Sequence, residues 1–425
     1  MGKERGPREL IHAKRRVSRL LALALLLMFG NLICYAHCQS QGFLSLLYES
    51  TGSDIERKAC QVIADSRDKF KEHAFYHWVS EFKSLWKPID AWDRKEQYYK
   101  TWIDDVFYMH CAYYDYQFLK YALDTFADAT RRLNGISCTP VYFDVRMLYG
   151  ITDWIDKRSY GALYFNIMVY DYVKVTGDFA GAGKWKDVVL KNYRYIRDNY
   201  MKTGVYFDDK ETCLQPDYAR KSGYIADMTI YYLISLKAMQ YVYGMDCEKE
   251  FEYVTDKLIN TLWQDEKGFF IDWIDPNGSK HIHYGTEQLW GIVYDVLPIS
   301  IQQAMFEALP KDDEHCGRFW QYKIYDQNEK VAEWDFSWKL GQSMLYLQTL
   351  RKFDYDESFI QQQIERYNQA IQKYGFCDNY LMDSNGEFLN NGLCNYIMNA
   401  GPWIAILKNN DLSVIPLAES SQRSH

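Results

Sequence analysis

The 425-residue sequence lacks the motifs of several common enzyme classes. It has no glycine-rich loop of the Walker or dinucleotide-binding type, so nothing indicates a bound nucleotide. It has no G-x-S-x-G segment and no local signature of a catalytic cysteine, which disfavours a serine or cysteine hydrolase. It also has no CxxC pair and no zinc-ligand spacing. We therefore predict neither a metal nor a cofactor.

Positive charge is scarce outside the N-terminus. The whole chain has 49 Lys and Arg against 57 Asp and Glu, a net charge of −8. Residues 1–19 hold seven of the bases and two of the acids, so the remainder has 42 bases, 55 acids and a net charge of −13. Nucleic-acid binding depends on bases that neutralise phosphates. A chain this acidic is not expected to bind nucleic acid.

Long apolar runs are absent beyond the N-terminal leader. There, the basic segment "RRVSR" precedes "LLALALLLMFGNLICYAHCQSQ", which ends in small and polar residues. This order predicts that residues 1–38 are a secretory signal peptide. The alternative is an uncleaved signal anchor, because the apolar run approaches membrane-spanning length. We predict a protein that is secreted or lies in the lumen of the secretory pathway, in contact with a membrane only if the anchor is retained.

Two further features suit such an oxidising compartment. Eight cysteines follow the leader at wide spacings, and we expect one or two disulfides with the others as buried thiols. The sequence Asn277-Gly278-Ser279 matches the acceptor for N-linked glycosylation. It follows a proline in a turn-like stretch, which favours a surface loop.

Aromatic residues are unusually abundant. The chain contains 37 Tyr, 22 Phe and 13 Trp, or 17% aromatic residues. Most should lie in the core, because the chain is long enough to bury a large one. Tyr and Trp also combine a flat apolar face with a polar group, and this suits pockets that bind hydroxylated rings.

Hydrophobic periodicity predicts helices along most of the chain. Apolar residues recur at three- and four-residue spacing over residues 56–86, 105–132, 158–176, 183–200, 223–244, 248–264, 285–297, 299–308, 336–353, 356–374 and 393–408. Short segments such as "GVYFDD" and "GFFIDW" predict small β-hairpins between helices. We predict an all-α fold, an (α/α)6 toroid of six helical hairpins over residues 39–410, followed by a polar tail at 411–425.

The densest group of candidate catalytic residues lies just before the second predicted helix. It contains Asp93, Glu96, Asp104 and Asp105, with Trp102 beside them. Hydrolysis of a glycosidic bond needs one protonated carboxyl group and one ionised carboxylate. Aromatic neighbours desolvate a carboxyl group and raise its pKa, so that it keeps its proton. The alternative is that Asp104 caps the helix and Asp105 favours its positive N-terminus.

Further segments also place acids beside aromatic residues, before or between predicted helices. They are "DWIDKRSYGALYF" with Trp154 and Asp156, "SKHIHYGTEQLWG" with His281, His283, Glu287 and Gln288, "AEWDFSWKLG" with Glu333 and Trp334, and "MDSNGEFLNNGLCNY" with Glu387. The four-residue sequence "DWID" recurs at Asp272–Asp275. Helix caps and polar turns are the alternative reading of each segment. Together they predict one functional face on a toroid.

The order of these segments resembles that of the six-hairpin glycosidases, most closely the catalytic domain of bacterial-type α-L-rhamnosidases. The resemblance covers roughly residues 60 to 408. It rests on "DRKEQYYKTWIDD", "YYDYQFLKYALDTFADATRRLNG", "DWIDKRSYGALYFNIMVYDYVKVTGD" and "NYIMNAGPWI", which stand in the family's order. It implies that Asp93, Trp102 and Asp105 match functional positions of the family's opening motif.

The sequence departs from the family at two catalytic positions. The general-acid glutamate falls on Tyr98, and Glu96 lies two residues out of register. The late segment that carries the general base has no clear match, which leaves Glu387 as a positional candidate. The segment "TWIDDVFYM" also resembles the catalytic segment of unsaturated rhamnogalacturonyl hydrolases, and this resemblance implies that Asp104 is the acid/base.

These observations predict an inverting glycoside hydrolase, similar to α-L-rhamnosidases, that acts on an oligosaccharide or glycoside of plant, algal or microbial origin. The predicted catalytic residues are Asp104 or Glu96 as acid and Glu387 or Glu333 as base. The predicted substrate-binding residues are Asp93, Asp105, Trp102, Trp154, Asp156, His283 and Trp334. The alternatives are a non-catalytic carbohydrate-binding relative and an unsaturated uronyl hydrolase or uronate lyase on a similar toroid.

Overall fold

The computed structural model describes residues 57–58, 100–101, 103, 107, 116–132, 137, 141–142, 159–213, 221–282, 286–309, 311, 340–376, 380–382, 388–390 and 403. All of them lie in one compact unit, Asp54–His425. Helices account for most of these residues, and the protein is mostly α. The predicted helices at 56–86 and 393–408 lie outside the described residues, apart from 57–58 and 403.

The described helices follow the predicted pattern closely. They are α1 Tyr116–Arg132, α2 Tyr160–Thr176, α3 Phe179–Ala182, α4 Lys186–Tyr200, α5 Ala226–Tyr243, α6 Glu248–Leu262, α7 Trp290–Val293, α8 Ile299–Ala308, α9 Leu340–Lys352 and α10 Glu357–Tyr374. The predicted helix at 285–297 is instead a 3-10 turn, Thr286–Leu289, followed by the short α7. It ends early because Asp295 takes a left-handed conformation with φ of 56° and Pro298 follows.

The described strands are short and pair only in antiparallel fashion. They are β1 Lys100–Thr101, β2 Val141–Tyr142, β3 Phe207–Cys213, β4 Lys221–Ile225, β5 Trp263–Gln264, β6 Phe269–Phe270, β7 Trp273–Ile274, β8 Lys280–His281, β9 Tyr380–Met382 and β10 Phe388–Asn390. Four of them form one sheet in the order β3-β4-β7-β8. Strand β4 ends at Ile225 and α5 begins at Ala226, so this sheet lies at the N-terminal end of α5.

Buried helices alternate with amphipathic ones along the chain. In α2, every residue from Tyr160 to Val173 is buried, and α5 and α7 are buried on nearly all sides. A helix that is apolar all round is expected to lie inside the protein. The helices that follow them, α4, α6 and α8, bury only one stripe of side chains. The pair α9 and α10 repeats this arrangement.

The buried helices α2 and α5 run parallel to each other. The ring centroids of Tyr164 and Tyr231, near the starts of the two helices, are 5.2 Å apart. Those of Tyr170 and Tyr241, near their ends, are 5.3 Å apart. Because the contacts advance in the same order along both helices, their N-terminal ends lie on the same side.

The helices α7 and α9 have the same direction as α5. Lys237, late in α5, donates a hydrogen bond from Nζ to the carbonyl of Tyr294, which follows α7 (2.7 Å). Lys352, the last residue of α9, donates from Nζ to the carbonyl of Ile292 (2.6 Å). The C-terminal ends of these helices therefore meet. The N-terminal ends of the long helices α5 and α9 lie away from this contact.

The amphipathic helix α4 returns antiparallel to its buried partner α2. Tyr172, late in α2, packs against Trp185 just before α4, with ring centroids 5.2 Å apart. Asn166, early in α2, accepts a hydrogen bond from Asn192 in the middle of α4 (3.3 Å). The reversed order defines a helical hairpin.

The turn of this first hairpin explains why the "TGD" sequence ends a helix. Gly177 takes φ of +67° and its N–H bonds the carbonyl of Val173 (2.7 Å), which closes α2. Asp178 then accepts a hydrogen bond from the N–H of Gly181 (2.7 Å) and starts α3. Three donors, Tyr172, Gly181 and Lys120, lower the pKa of Asp178 to about 2. The helices predicted at 158–176 and 183–200 are thus joined as a hairpin, with the short α3 inside its turn.

Two remaining observations concern the cysteines and the length of the helices. Cys247, next to the start of α6, is a buried free thiol, and the other cysteine side chains lie outside those described. Within the described ranges, none of the helices has both the length and the apolar character required to cross a membrane.

Candidate functional site

All eleven residues proposed from the sequence for catalysis or sugar binding lie outside the described residues. They are Asp93, Glu96, Trp102, Asp104, Asp105, Trp154, Asp156, His283, Glu333, Trp334 and Glu387. Two of their chain neighbours, Ile103 and Phe107, are described and are fully buried. These two residues locate part of the "TWIDDVF" segment in the fold.

Phe107 contacts the N-terminal ends of two buried helices. Its ring stacks on Tyr164 of α2, with centroids 4.3 Å apart and planes 12° apart. Its ring also meets Trp290, the first residue of α7, edge-on at 5.3 Å. Tyr231 of α5 completes this buried aromatic group through its contact with Tyr164. We call these four residues the aromatic layer.

Four charged residues are buried near the same ends of the helices. They are Lys221 of β4, Asp227 in the first turn of α5, Asp272 between β6 and β7, and Glu287 in the 3-10 turn before α7, and each is at most 2% exposed. Lys221 Nζ donates a hydrogen bond to Asp227 Oδ2. Asp272 and Glu287 both act on Asp227 through their negative charge. We call this group the buried acid cluster.

Backbone hydrogen bonds and one amide side chain hold the buried acid cluster together. Gln288 donates from Nε2 to Asp272 Oδ1 (3.0 Å) and to the carbonyl of Phe270 (3.2 Å). Its Oε1 accepts from the N–H of Phe270 (3.2 Å). The N–H of Ala226 bonds the carbonyl of Asp272 (2.9 Å), which joins the start of α5 to the sheet. The sheet, α5 and the 3-10 turn thus place their acids in one region.

Burial changes the acidity of Asp227. Desolvation raises the pKa of this carboxyl group, the charges of Glu287 and Asp272 raise it further, and the bond to Lys221 opposes them. The resulting pKa is about 6.

The neighbouring hairpin, β7–β8, carries a second polar group. His281 Nε2 lies 2.8 Å from Asp275 Oδ2, and both side chains are 23% exposed. Trp273 donates from Nε1 to the other oxygen of Asp275 (3.0 Å), and its ring stacks on the imidazole with centroids 4.3 Å apart. The hairpin thus has a rigid base next to the buried acid cluster. Among the described residues, no group of His, Cys, Asp and Glu could hold a metal ion.

The sequence indicated part of this arrangement. Asp272 and Asp275 belong to the second "DWID" sequence. His281, Glu287 and Gln288 belong to "SKHIHYGTEQLWG". Both segments were named from the sequence as candidate parts of a functional face. Lys221 and Asp227 were missed. The sequence hints at them only in "KSGYIAD", where a lysine begins a short glycine-containing strand and an aspartate begins the apolar helix that follows.

Comparison with known proteins gives a relationship of fold. No protein-family model matches the chain, and no curated protein matches it. Solved structures of glycosidases do match. A rhamnosidase from Klebsiella oxytoca with rhamnose bound has a TM-score of 0.52 at 12% identity, over 85% of this chain and 65% of that one. A GH78 family rhamnosidase of Bacillus sp. GL1 has a TM-score of 0.49 at 14% identity, over 73% of this chain and 32% of that one.

This chain therefore spans less than two thirds of the length of either rhamnosidase. At 12% identity, the match to the Klebsiella structure establishes a similar fold. The fold of the chain is thus mostly α and glycosidase-like.

Proposed function

We propose that the protein is a glycoside hydrolase whose helical hairpins close into an (α/α)6 toroid over residues 39–410. The parallel buried helices α2 and α5 and the antiparallel hairpin of α2 and α4 support this architecture, because a toroid requires an inner and an outer ring joined by such hairpins. Residues 1–38 serve as the secretory signal or anchor and 411–425 form a polar tail. The protein acts outside the cell or in the lumen of the secretory pathway.

The observation that carries the proposal is the meeting of the "TWIDDVF" segment with the N-terminal ends of the buried helices. Phe107 packs against Tyr164 and Trp290 there. Asp227 lies in the first turn of α5, and Glu287 lies in the 3-10 turn just before α7. A pocket at this end would bring carboxyl groups from several hairpins around one substrate, as glycosidic hydrolysis requires.

The catalytic roles follow the chemistry of an inverting reaction. Asp104 or Glu96 protonates the leaving oxygen, and Glu387 or Glu333 activates the water. Asp93, Asp105, Asp156 and His283 hold sugar hydroxyls, and Trp102, Trp154 and Trp334 stack on the sugar ring. No metal or cofactor takes part. One of the matched structures is described with rhamnose bound, and we take α-L-rhamnosides as the first substrate class to test.

Turnover of synthetic and natural glycosides tests the proposal. The purified full chain is incubated with aryl glycosides, beginning with p-nitrophenyl α-L-rhamnoside, and with plant and algal polysaccharides. We expect release of the aglycone and a first product of inverted anomeric configuration in the NMR spectrum. A product that absorbs in the ultraviolet as a 4,5-unsaturated sugar indicates a lyase instead. Binding on a glycan array without any turnover indicates a non-catalytic carbohydrate-binding protein.

A further inference from the structure

The acceptor sequence Asn277-Gly278-Ser279 lies at the tip of the β7–β8 hairpin. It is the only sequence of this type in the chain. Every residue from Pro276 to Lys280 is exposed. Two backbone hydrogen bonds form the turn of the hairpin. The N–H of Asp275 donates to the carbonyl of Ser279 (2.9 Å), and the N–H of Gly278 donates to the carbonyl of Asp275 (2.8 Å). The acceptor therefore lies where a bulky group meets solvent rather than protein.

The side chain of Asn277 is held in one orientation. Its Oδ1 accepts a hydrogen bond from the N–H of Ser279 (2.9 Å). Among the described residues, none accepts a hydrogen bond from its Nδ2, the atom that glycosylation modifies. Gly278, with φ of +91°, has no atom within 4 Å of the position that a Cβ would occupy. Asn277 and its neighbours at the tip are exposed among the described residues, as attachment of a sugar requires.

The base of the hairpin is stable without help from its tip. Trp273, Asp275 and His281 bond and stack with one another. The backbone of β7 pairs with β4 on one side and β8 on the other. A glycan at the tip would disturb none of these contacts.

We propose that Asn277 carries an N-linked glycan in the mature protein. The glycan donor is an oligosaccharide linked to a polyprenyl diphosphate. The transferase is the one in the secretory pathway of the cell that makes the protein. Asn277 Nδ2 forms a bond to the anomeric carbon as the bond from that carbon to the diphosphate oxygen breaks. The amide nitrogen loses one proton and the lipid diphosphate leaves. This inference rests on the secretory compartment proposed above, and its test must separate the two.

The test uses the full chain expressed in a eukaryotic secretory cell in two forms. One form keeps its own leader, and the other has a cleavable secretion signal of known efficiency in its place. Protein recovered from the medium or lumen is treated with a peptide N-glycanase and compared by electrophoretic mobility. We expect treatment to lower the apparent mass by one mobility step. The mass spectrum of the peptide should show Asn277 converted to Asp.

Matched variants identify the site. Asn277→Gln and Ser279→Ala should abolish the mobility step, whereas Ser279→Thr should keep it. Asn260→Gln is the control, because Asn260 is exposed but lies outside an acceptor sequence. Signal-directed protein from the medium with no mobility step would overturn the glycan at Asn277. Glycosylation of the signal-directed form but not of the form with its own leader would support the site and contradict the compartment.

Discussion

Lys221 and Asp227 form a salt bridge in which the two side chains are only 1% and 3% exposed. Lys221 belongs to β4 and Asp227 to the first turn of α5, so the pair fastens the sheet to the end of a buried helix. Asp272 and Glu287 add negative charge to the same region. Within the described residues, Lys221 thus offsets negative charge of the three acids in the buried acid cluster.

We expect Lys221→Met to destabilise the protein strongly at pH 7. The substitution keeps most of the apolar volume but leaves Asp227 buried without its cation, so at pH 7 this carboxyl group must stay charged and unpaired or take up a proton. Removal of one partner of a buried ion pair costs about 3–5 kcal/mol. The free energy of unfolding from urea denaturation measures the loss. At pH 5 the loss should shrink, because Asp227 is then largely protonated in the wild type as well and the salt bridge contributes less.

Two controls separate the salt bridge from the side chain. Lys184→Met breaks the exposed pair with Asp124, whose side chains are 41% and 45% exposed, and should cost only about 0–1 kcal/mol. The double variant Lys221→Met/Asp227→Asn removes both charges and should regain most of the stability lost in Lys221→Met. A double variant as unstable as the single one would show that packing, not charge, accounts for the loss.

The raised pKa of Asp227 predicts how stability depends on pH. The pKa is about 6 in the folded protein against an ordinary value of 3.8. Between these values the folded state binds more protons than the unfolded state, so the stability that Asp227 contributes is full below pH about 4 and is lost as pH rises through 6. Asp178, whose pKa is lowered to about 2, acts only at more acidic pH.

Unfolding experiments between pH 4 and pH 7 check this prediction. The wild type should lose stability with rising pH relative to Lys221→Met/Asp227→Asn, which lacks the titrating group. Glu287→Gln should move the transition to lower pH, because the charge of Glu287 raises the pKa of Asp227. If the free energy of unfolding of the wild type and of the double variant changed with pH in the same way, the raised pKa of Asp227 would be contradicted.

Gly223, next to the buried acid cluster, should be a position where adding a side chain destabilises the protein. It lies in β4 with φ of +82°, and a Cβ there would be 2.0 Å from the carbonyl oxygen of Ile274 in β7. We expect Gly223→Ala to cost more than about 3 kcal/mol, because backbone strain and overpacking act together. The control is Gly244→Ala, at φ of +63° with open space, which should cost about 1 kcal/mol. Equal losses in thermal or urea unfolding would show that only the positive φ matters.

Much of the fold could be predicted from the sequence because its helices carry strong periodic patterns. The predicted helix at 299–308 has the bounds of α8, and α2, α5, α6 and α10 begin within about three residues of their predicted starts. The 3-10 turn before α7 was missed. Periodicity does not detect the left-handed residue that shortens a helix, and Asp295 gives no such warning in the sequence.

The buried acid cluster shows where prediction from local patterns stops. Acids beside aromatic residues were recognised at Asp272 and Glu287, since each lies in a conspicuous segment. Lys221 and Asp227 were not recognised, because their significance depends on burial and on contacts between β4, α5 and the 3-10 turn. Long-range pairing of this kind leaves no mark in a single sequence.

The catalytic prediction concerns Asp104 and its rival Glu96. If Asp104 is the general acid, Asp104→Asn should lower kcat by about 10²- to 10⁴-fold on aryl glycosides with poor leaving groups. The loss should be smaller for dinitrophenyl glycosides, whose leaving group departs without protonation. Asp246→Asn, at an exposed acid in the turn between α5 and α6, should leave kcat unchanged.

The same comparison decides between the two acids. A large loss with Glu96→Gln together with normal turnover in Asp104→Asn would assign the acid to Glu96. Glu387→Gln and Glu333→Gln test the base, and loss of the base should slow poor and good leaving groups alike, because attack by water is needed for both. Variants that lack the acid and variants that lack the base thus differ in how kcat depends on the leaving group. Circular dichroism and thermal unfolding of each variant check that a loss of kcat does not arise from a loss of structure.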